Sequence, residues 1–306
     1  MYIFITGGTG FVGQALVRRL RREGHALRLW VRSPERAREQ LGELAGQVEL
    51  VAASGGATAM QAAIADADAI INLAGEPVIG RRWTEAQMQV LRASRIGVTE
   101  LIVDAIAAAP RPRVLVSASA VGYYGDTGAR EVDETSPPGD DFLAELSVAW
   151  EAAALRAERQ QTRVCLVRIG LVLGRDGGVL GSMLPPFRLG LGGPIGSGSQ
   201  YFPWVHIDDL IGIICAALER DDLRGPLLAV GPESVTNREF AAALGHVLHR
   251  PAVLKVPAFA LRLALGSASA ALLAGQRAVP RRVRELGYHF RFPALAPALD
   301  DLLGRR

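Results

Sequence analysis

Three glycines near the start of the chain, at positions 7, 10 and 13, have the spacing of a loop that binds phosphate groups. An apolar run at residues 2–5 predicts a buried strand before them, and residues 14–23 have the pattern of a helix after them. In such a turn the backbone approaches a diphosphate closely, and the N-terminal amides of the helix attract its charge. We therefore predict a dinucleotide-binding loop. Its assigned residues are Gly7, Thr9, Gly10, Phe11, Val12 and Gly13.

The end of the second predicted strand indicates which dinucleotide is bound. An acidic residue at this place accepts hydrogen bonds from the ribose 2′-hydroxyl of NAD. This chain has Arg32 and Ser33 instead, and a guanidinium beside a hydroxyl suits the 2′-phosphate of NADP. We therefore expect NADP(H), with NAD(H) less favoured. The alternative is that Arg32 is an ordinary surface arginine in an arginine-rich chain.

The elements that position these residues alternate along the first two thirds of the chain. Strands are predicted at 2–5, 27–31, 48–52, 69–73, 113–117 and 164–168. Helices are predicted at 12–22, 34–44, 57–65, 84–108 and 142–158. This alternation is typical of an α/β fold with a Rossmann-like, doubly wound parallel sheet, in which ligands bind beyond the C-terminal strand ends.

The amino-acid composition of the chain changes after residue 173. Residues 174–203 are rich in glycine and proline and predict an irregular excursion on the substrate side. A helix at 207–219, a short strand at 226–230 and a helix capped by Thr236 follow, and the remainder is mostly helical. We assign 1–173 and 201–231 to a dinucleotide-binding domain, and 174–200 and 232–306 to a small, mostly helical C-terminal substrate lobe.

The composition excludes several classes of protein. With 49% hydrophobic and 21% charged residues the chain has an ordinary globular composition. Its net charge of +3 is small and its arginines are dispersed, so we expect no nucleic-acid partner. The apolar stretch 259–275 is short and contains Arg262, so a packed helix is expected there and no membrane partner. Cys165 and Cys215 lie in apolar runs, which favours reduced thiols, and without a secretory signal we expect a cytoplasmic protein.

Several motifs carry a resemblance to a known family. They are Asn72-Leu73-Ala74-Gly75-Glu76-Pro77, Arg81-Arg82-Trp83-Thr84, Ser94-Arg95-Ile96-Gly97, the run from Ser117 to Gly125 (SASAVGYYG), Trp150-Glu151, the run from Phe202 to Asp209 (FPWVHIDD) and Leu286-Gly287-Tyr288-His289-Phe290. By these motifs the chain resembles the extended short-chain dehydrogenases/reductases, within the NAD-dependent epimerase/dehydratase superfamily. It is most similar to their atypical nucleoside-diphosphate-sugar epimerase-like members, including a family-specific C-terminal segment.

The resemblance implies a catalytic serine, tyrosine and lysine. The tyrosine exchanges a proton with the substrate, the lysine lowers its pKa, and the serine orients the substrate oxygen while hydride passes to or from the nicotinamide. Ser119 takes the serine position. The Tyr-x-x-x-Lys pair is missing, because Leu143 and Ser147 stand at its two positions and the one lysine of the chain is Lys255. A tyrosine without a cationic neighbour has a pKa near 10 and is a poor base at neutral pH.

Three interpretations of this loss stay open. Tyr123 or Tyr124 takes the acid/base role with an arginine nearby, and for Tyr124 packing above the nicotinamide is equally expected. Alternatively Asp141 or Glu145 acts as a carboxylate with a raised pKa. In the third interpretation the protein binds the cofactor without turning over a hydroxyl substrate. Our catalytic candidates are Ser119, Tyr123 and Tyr124.

Further residues are assigned to the two ligands. Those at strand ends assigned to the cofactor are Leu73, Ala74, Gly75, Ser117 and Arg168. Those assigned to the substrate side are Glu76, Arg95, Gly193 and His206. Arg168 either anchors a phosphate or braces the loop, and the amides of residues 192–198 either line a phosphate or form a flexible turn. For His206 the role of a hydrogen-bonded structural histidine beside an aspartate cap is favoured over a general base.

The sequence thus predicts an NADP(H)-binding oxidoreductase or epimerase that acts on a hydroxyl or carbonyl carbon of a small molecule, with nucleotide sugars among the candidates. The alternative is a non-catalytic NADP(H)-binding redox sensor or scaffold, which the missing tyrosine and lysine favour. We expect no metal site. A homodimer is compatible with the sequence, which does not fix the number of subunits.

Overall fold

A computed structural model describes residues 1–108, 112–175 and 177–304. Seven parallel strands form one sheet in the order β10-β7-β5-β4-β1-β2-β3. The strands of the chain are β1 Tyr2–Thr6, β2 Ala26–Val31, β3 Glu49–Ala52, β4 Ala69–Asn72, β5 Val114–Ala120, β6 Glu131–Val132, β7 Arg163–Ile169, β8 Leu171–Gly174, β9 Trp204–His206, β10 Gly225–Ala229 and β11 Arg277–Ala278. The Rossmann-like α/β fold predicted from the alternating pattern is confirmed.

Helices cover both faces of the sheet and make up much of the C-terminal region. They are α1 Phe11–Arg22, α2 Pro34–Leu41, α3 Gly56–Ile64, α4 Glu85–Arg92, α5 Val98–Ala108, α6 Phe142–Leu155, α7 Gly178–Arg188, α8 Ile207–Glu219, α9 Asn237–Val247, α10 Ala258–Leu265, α11 Ala270–Leu273, α12 Arg281–Glu285 and α13 Leu295–Leu303. Among the residues with described positions, no helix is long and apolar enough to cross a membrane.

Apolar side chains on the two faces of the sheet explain why it is buried. Ile3 and Ile5 of β1 pack with Leu16 of α1 on one face, whereas Phe4 packs with Met60 of α3 on the other. Successive residues of a strand point to opposite faces, so a strand buried on both sides is a continuous apolar run. Each face of the sheet thus has its own apolar core. A further core lies outside this sheet, between α7, α9, α13 and the paired strands β8 and β9.

Three predictions about helices need correction. The predicted helix at 84–108 is divided into α4 and α5 by a π-helical turn, Ala93–Gly97. The region 174–203 is not irregular throughout, because α7 occupies Gly178–Arg188 despite two prolines inside it. Leu180, Leu184 and Phe187 recur at helical spacing and are buried, and this packing offsets the N–H groups that the prolines lack.

The third correction concerns residues 259–275, which we predicted to form one packed helix. They form α10 and α11, separated by a turn of 3₁₀ helix at Gly266–Ser269. Gly266 has φ +60° and ends α10, because this backbone conformation costs glycine little and other residues more. Phe259 and Leu263 on α10 are exposed rather than packed.

Candidate functional site

The glycine loop between β1 and α1 is shaped by contacts that allow no side chain. Gly7 has φ +72°, and a Cβ atom there would overlap the carbonyl group of Leu73 at the end of β4. A Cβ atom on Gly13 would overlap the carbonyl oxygen of Gly7. The loop therefore folds back on the first turn of α1 and against the β4 turn, which is the close approach that the glycine spacing predicts.

The first turn of α1 is open to an anion. Gly10 caps this helix without a side-chain hydrogen bond, and no acidic residue lies in the first turn. The first amides of a helix have no partner within it and carry a partial positive charge. Thr9 accepts a hydrogen bond on its carbonyl from Gln14 at 3.0 Å, which fixes the loop beside these amides.

A second glycine-rich segment, between β8 and α7, packs against the glycine loop. Cβ atoms on Gly174, Gly177 or Gly178 would overlap or crowd the ring of Phe11, so these glycines surround that ring. This contact was not predicted from the sequence, although the glycine-rich composition of the segment was a signal for it. Phe11 thus joins the glycine loop to the start of α7, and Val12 beside it packs against the core under α1.

At the end of β2 the side chain of Arg32 is 90% exposed, with its Nη1 atom 3.5 Å from a carboxylate oxygen of Glu76. Ser33 caps α2, because its hydroxyl accepts a hydrogen bond from the Arg36 amide at 3.3 Å. It also donates to Glu35 at 2.9 Å. A carboxylate is therefore present beside Arg32, and it comes from the β4 turn rather than from β2.

A buried row of hydrogen bonds links the ends of the central strands. Thr6 donates to Asn72 at 2.6 Å, and Asn72 donates to Thr99 at 2.8 Å. Asn72 also reaches Ser117 at 3.4 Å, and the Trp150 indole donates to Thr99 at 3.0 Å. The same Asn72 oxygen accepts from the Ala74 amide at 3.3 Å. The hydroxyl of Ser117 is thus fixed inside the protein.

Ser119 belongs to a second buried network, with Glu151 and Arg168. The Ser119 hydroxyl donates to Glu151 Oε1 at 2.6 Å. Arg168 holds both oxygens of the same carboxylate, at 2.8 Å from Nε and 2.9 Å from Nη2. Arg168 is 4% exposed, so these contacts favour a bracing role for it over anchoring a phosphate. From the sequence, Glu151 was identified only as part of the Trp150-Glu151 motif and not as a site residue.

The two tyrosines differ in access. Tyr124 is 1% exposed, and its hydroxyl accepts a hydrogen bond from Arg168 Nη1 at 2.9 Å. Burial raises the pKa of the Tyr124 phenol above its ordinary value, against the opposing effect of Arg168. Tyr123 is partly exposed, and the Arg168 guanidinium lies 3.5 Å from the centre of its ring. Tyr123 is therefore the accessible member of the pair.

The helix α6 supplies no substitute for the missing pair. Ser147, at the lysine position, is buried and donates to the Leu143 carbonyl at 2.7 Å. Asp141 caps the helix by accepting from the Ala144 amide at 2.9 Å. Glu145 is exposed and lies 3.7 Å from Arg92. These contacts favour structural roles for Asp141 and Glu145.

The segment at residues 192–198 has few free amides for a phosphate. Gly193 packs against the backbone of Leu254, where a Cβ atom would overlap the carbonyl oxygen. The Ile195 amide donates to Asn237 at 2.7 Å, and the Gly196 amide to Val256 at 2.8 Å. The Gly198 amide donates within the turn. The interpretation of this segment as a phosphate-binding nest is therefore not favoured.

His206 lies at the N-terminus of α8 and caps it. Its Nδ1 atom accepts from the Asp208 amide at 3.1 Å, and its Nε2 atom lies 3.5 Å from Asp301. The ring stacks on Phe292 at 3.8 Å and is fully buried. Burial lowers the pKa of His206. The geometry favours the structural role over a general base, with His206 itself rather than an aspartate as the helix cap.

Comparisons with known proteins agree with this architecture. The NAD dependent epimerase/dehydratase family matches residues 3–231, and a domain of unknown function (DUF1731) matches residues 256–302. The human epimerase family protein SDR39U1 is 43% identical over 308 residues, which cover 99% of this chain and 100% of the human protein. An Arabidopsis thaliana chloroplastic homologue of SDR39U1 is 42% identical, with 99% of this chain and 87% of that protein covered.

A solved structure extends the likeness to three dimensions. The crystal structure of human SDR39U1 (isoform 2) with NADPH has a TM-score of 0.90 and 41% identity, and 99% of each chain is covered. The resemblance found in the sequence motifs is confirmed. The chain therefore belongs to the NAD dependent epimerase/dehydratase family.

Proposed function

We propose that this protein binds NADP(H) and is an oxidoreductase or epimerase acting at a hydroxyl or carbonyl carbon of a small molecule in the cytoplasm. The observation that carries the proposal is the tight glycine loop, in which Gly7 packs on the Leu73 carbonyl and Gly13 packs on Gly7 with no space for a Cβ atom. The uncapped first turn of α1 supplies unpaired amides at the same place. The cofactor of the human relative's crystal structure, NADPH, supports the same assignment.

Named residues would hold each part of the cofactor. The first amides of α1 would bind the diphosphate. Arg32, whose side chain is exposed and only 3.5 Å from Glu76, would turn from that carboxylate to bind the 2′-phosphate. The nicotinamide half would extend along the strand ends toward Ser119, since ligands of this fold lie beyond the C-terminal ends of the strands. When bound, the nicotinamide supplies the donor or acceptor of hydride.

Ser119 would receive the substrate oxygen as a hydrogen-bond acceptor. Its proton is directed to Glu151 at 2.6 Å, and an ionised carboxylate accepts hydrogen bonds but donates none. The free lone pairs of Ser119 therefore suit a substrate hydroxyl better than a carbonyl. Arg168 balances the charge of Glu151 through its bidentate contact.

Tyr123 is the best remaining proton donor or acceptor. The Tyr124 hydroxyl is already held by Arg168 at 2.9 Å, and burial raises the pKa of its phenol. The Arg168 guanidinium packs on the face of the Tyr123 ring, so an arginine is the cationic neighbour of this tyrosine where the family has a lysine.

A non-catalytic NADP(H)-binding sensor or scaffold is the second candidate, and the apolar Leu143 and the buried Ser147 at the positions of the missing pair favour it. A screen of metabolites for NADPH oxidation separates the two, with wild-type protein, Ser119→Ala and Tyr123→Phe in parallel. Turnover that both substitutions abolish while NADPH binding persists supports the enzyme. NADPH binding without turnover of any metabolite supports the sensor, and turnover that is indifferent to Ser119→Ala refutes the catalytic assignment.

A further inference from the structure

Arg95 lies in the π-helical turn between α4 and α5, and its guanidinium is pressed against the turn that follows β4. A Cβ atom on Gly75 would lie 3.1 Å from Arg95 Cζ, so a larger residue there would displace the guanidinium by a few tenths of an ångström. On its other side the guanidinium lies 5.4 Å from the centre of the Trp150 ring. π-helical turns are rare in proteins, and those that occur are often found at functional sites.

The charge of Arg95 is poorly compensated. Its Nη2 atom donates to the Glu76 carbonyl at 3.0 Å, and its other contacts, with Leu91 and Ser94, are long at 3.5 and 3.4 Å. Across residues 1–108, 112–175 and 177–304, no carboxylate lies within 4.0 Å of this guanidinium, whereas the buried Arg168 has both oxygens of Glu151.

Burial lowers the pKa of Arg95 to about 10, with Glu76 acting in the opposite direction. The guanidinium is half-buried, so it is still charged at neutral pH but has lost part of its hydration. A charge taken from water is costly unless a counter-ion or several hydrogen bonds replace the water. An anionic ligand would supply the counter-ion that the described part of the protein does not provide for Arg95.

The position of Arg95 indicates which anion it meets. The Leu73 carbonyl touches Gly7, and Gly75, two residues later, touches Arg95. The Leu73 amide also donates to the Thr6 carbonyl at 3.1 Å, which ties the turn to the end of β1. One short turn thus separates Arg95 from the glycine loop and the first amides of α1, where a diphosphate is expected.

We propose that Arg95 is a counter-ion for the diphosphate of the cofactor, rather than a residue of the substrate side as the sequence suggested. The inference rests on the proposed binding of NADP(H). A diphosphate could also come from a nucleotide-sugar substrate, and the choice of probes separates the two sources. An ionic hydrogen bond of this kind is expected to change affinity by roughly tenfold.

The test compares dissociation constants of wild-type protein, Arg95→Met and Arg95→Lys for four cofactor probes and for UDP. The cofactor probes are NADPH, NADP⁺, 2′-phospho-ADP-ribose, which keeps the diphosphate but lacks nicotinamide, and 2′-AMP, which lacks both. Arg92→Met is the matched control, because Arg92 is a partly exposed arginine on α4 whose charge faces Glu145.

Arg95→Met should weaken NADPH, NADP⁺ and 2′-phospho-ADP-ribose by the same factor, roughly tenfold, and leave 2′-AMP unchanged. Arg95→Lys keeps the charge and should lose less, and it also serves if Arg95→Met does not fold. Arg92→Met should bind all probes as the wild type does.

Three outcomes would overturn the inference while leaving NADP(H) binding intact. They are unchanged affinity for every cofactor probe, a change confined to NADPH and NADP⁺, and a change confined to UDP, the last of which assigns Arg95 to the substrate. A uniform loss that includes 2′-AMP would indicate a distorted site and also counts against it. A wild-type protein that binds none of the cofactor probes refutes the proposed function itself.

Discussion

Ser119 Oγ lies 2.6 Å from Glu151 Oε1, and the same carboxylate is held by two nitrogens of Arg168. The hydroxyl proton of the expected catalytic serine is therefore directed at a buried carboxylate. A serine hydroxyl has one proton, and here Glu151 accepts it. Ser119 can then only accept a hydrogen bond from a ligand, so this contact favours a ligand group that donates one.

Glu151→Gln should destabilise the protein by about 3 kcal/mol, because it leaves Arg168 as an uncompensated buried charge. Urea unfolding followed by circular dichroism measures this change. Glu145→Gln is the control, since Glu145 is exposed on the same helix, and it should stay within about 0.5 kcal/mol of wild type. Equal effects of the two substitutions would show that the Glu151–Arg168 pair does not stabilise the fold.

Gly13→Ala should remove NADPH binding and lower the free energy of unfolding by about 2 kcal/mol, because its Cβ atom would overlap the Gly7 carbonyl. NADPH fluorescence and thermal unfolding report the two effects. Gly46→Ala is the matched control, since a Cβ atom there meets open space. NADPH binding by Gly13→Ala at wild-type affinity would contradict the assignment of the loop.

Arg32→Ser should weaken NADPH by about tenfold and leave NADH unchanged, because only the 2′-phosphate needs the guanidinium. Glu76→Gln should act in the opposite direction, since its carboxylate, 3.5 Å from Arg32, competes with that phosphate. Titration of each variant with both dinucleotides measures the ratio, with Arg38→Ser, exposed on α2, as control. A loss shared equally by NADPH and NADH would assign Arg32 a general rather than a specific role.

His206 should make stability fall as the solution is acidified. Burial lowers its pKa in the folded protein, so the unfolded chain binds a proton more readily. The stabilisation is complete above the unfolded pKa of about 6.5 and is lost as pH falls below it toward the folded value. The free energy of unfolding, measured from pH 8 to 5, should decline more steeply for wild type than for His206→Asn, which keeps a capping side chain. Parallel curves would exclude this contribution.

The sequence predicted best what depends on neighbouring residues. The glycine loop lies within one strand–turn–helix segment, and the cap at Thr236 is read from four consecutive residues; both are local, and the structure shows a capping box there. The π-helical turn that carries Arg95 has no comparable local signal.

Contacts across the fold were harder to predict. Glu76 is 44 residues from Arg32, and Glu151 is 32 residues from Ser119. One signal for the partner of Glu151 was present. Glu151 lies in an apolar helix and Arg168 in an apolar strand, and two opposite charges in such elements are expected to pair when buried. In α7 the prolines suggested a loop, and the packing of Leu184 and Phe187 determined a helix.

The most direct test is thermal unfolding of the purified protein with NADPH, NADP⁺, NADH and NAD⁺ at matched concentrations. A ligand at a hundred times its dissociation constant adds about 2.7 kcal/mol, which raises the melting temperature by several degrees. The account predicts a clear rise with the two phosphorylated dinucleotides and little or none with the other two. Equal shifts with all four would contradict the role of Arg32. The absence of any shift, in folded protein free of copurified cofactor, would contradict NADP(H) binding altogether.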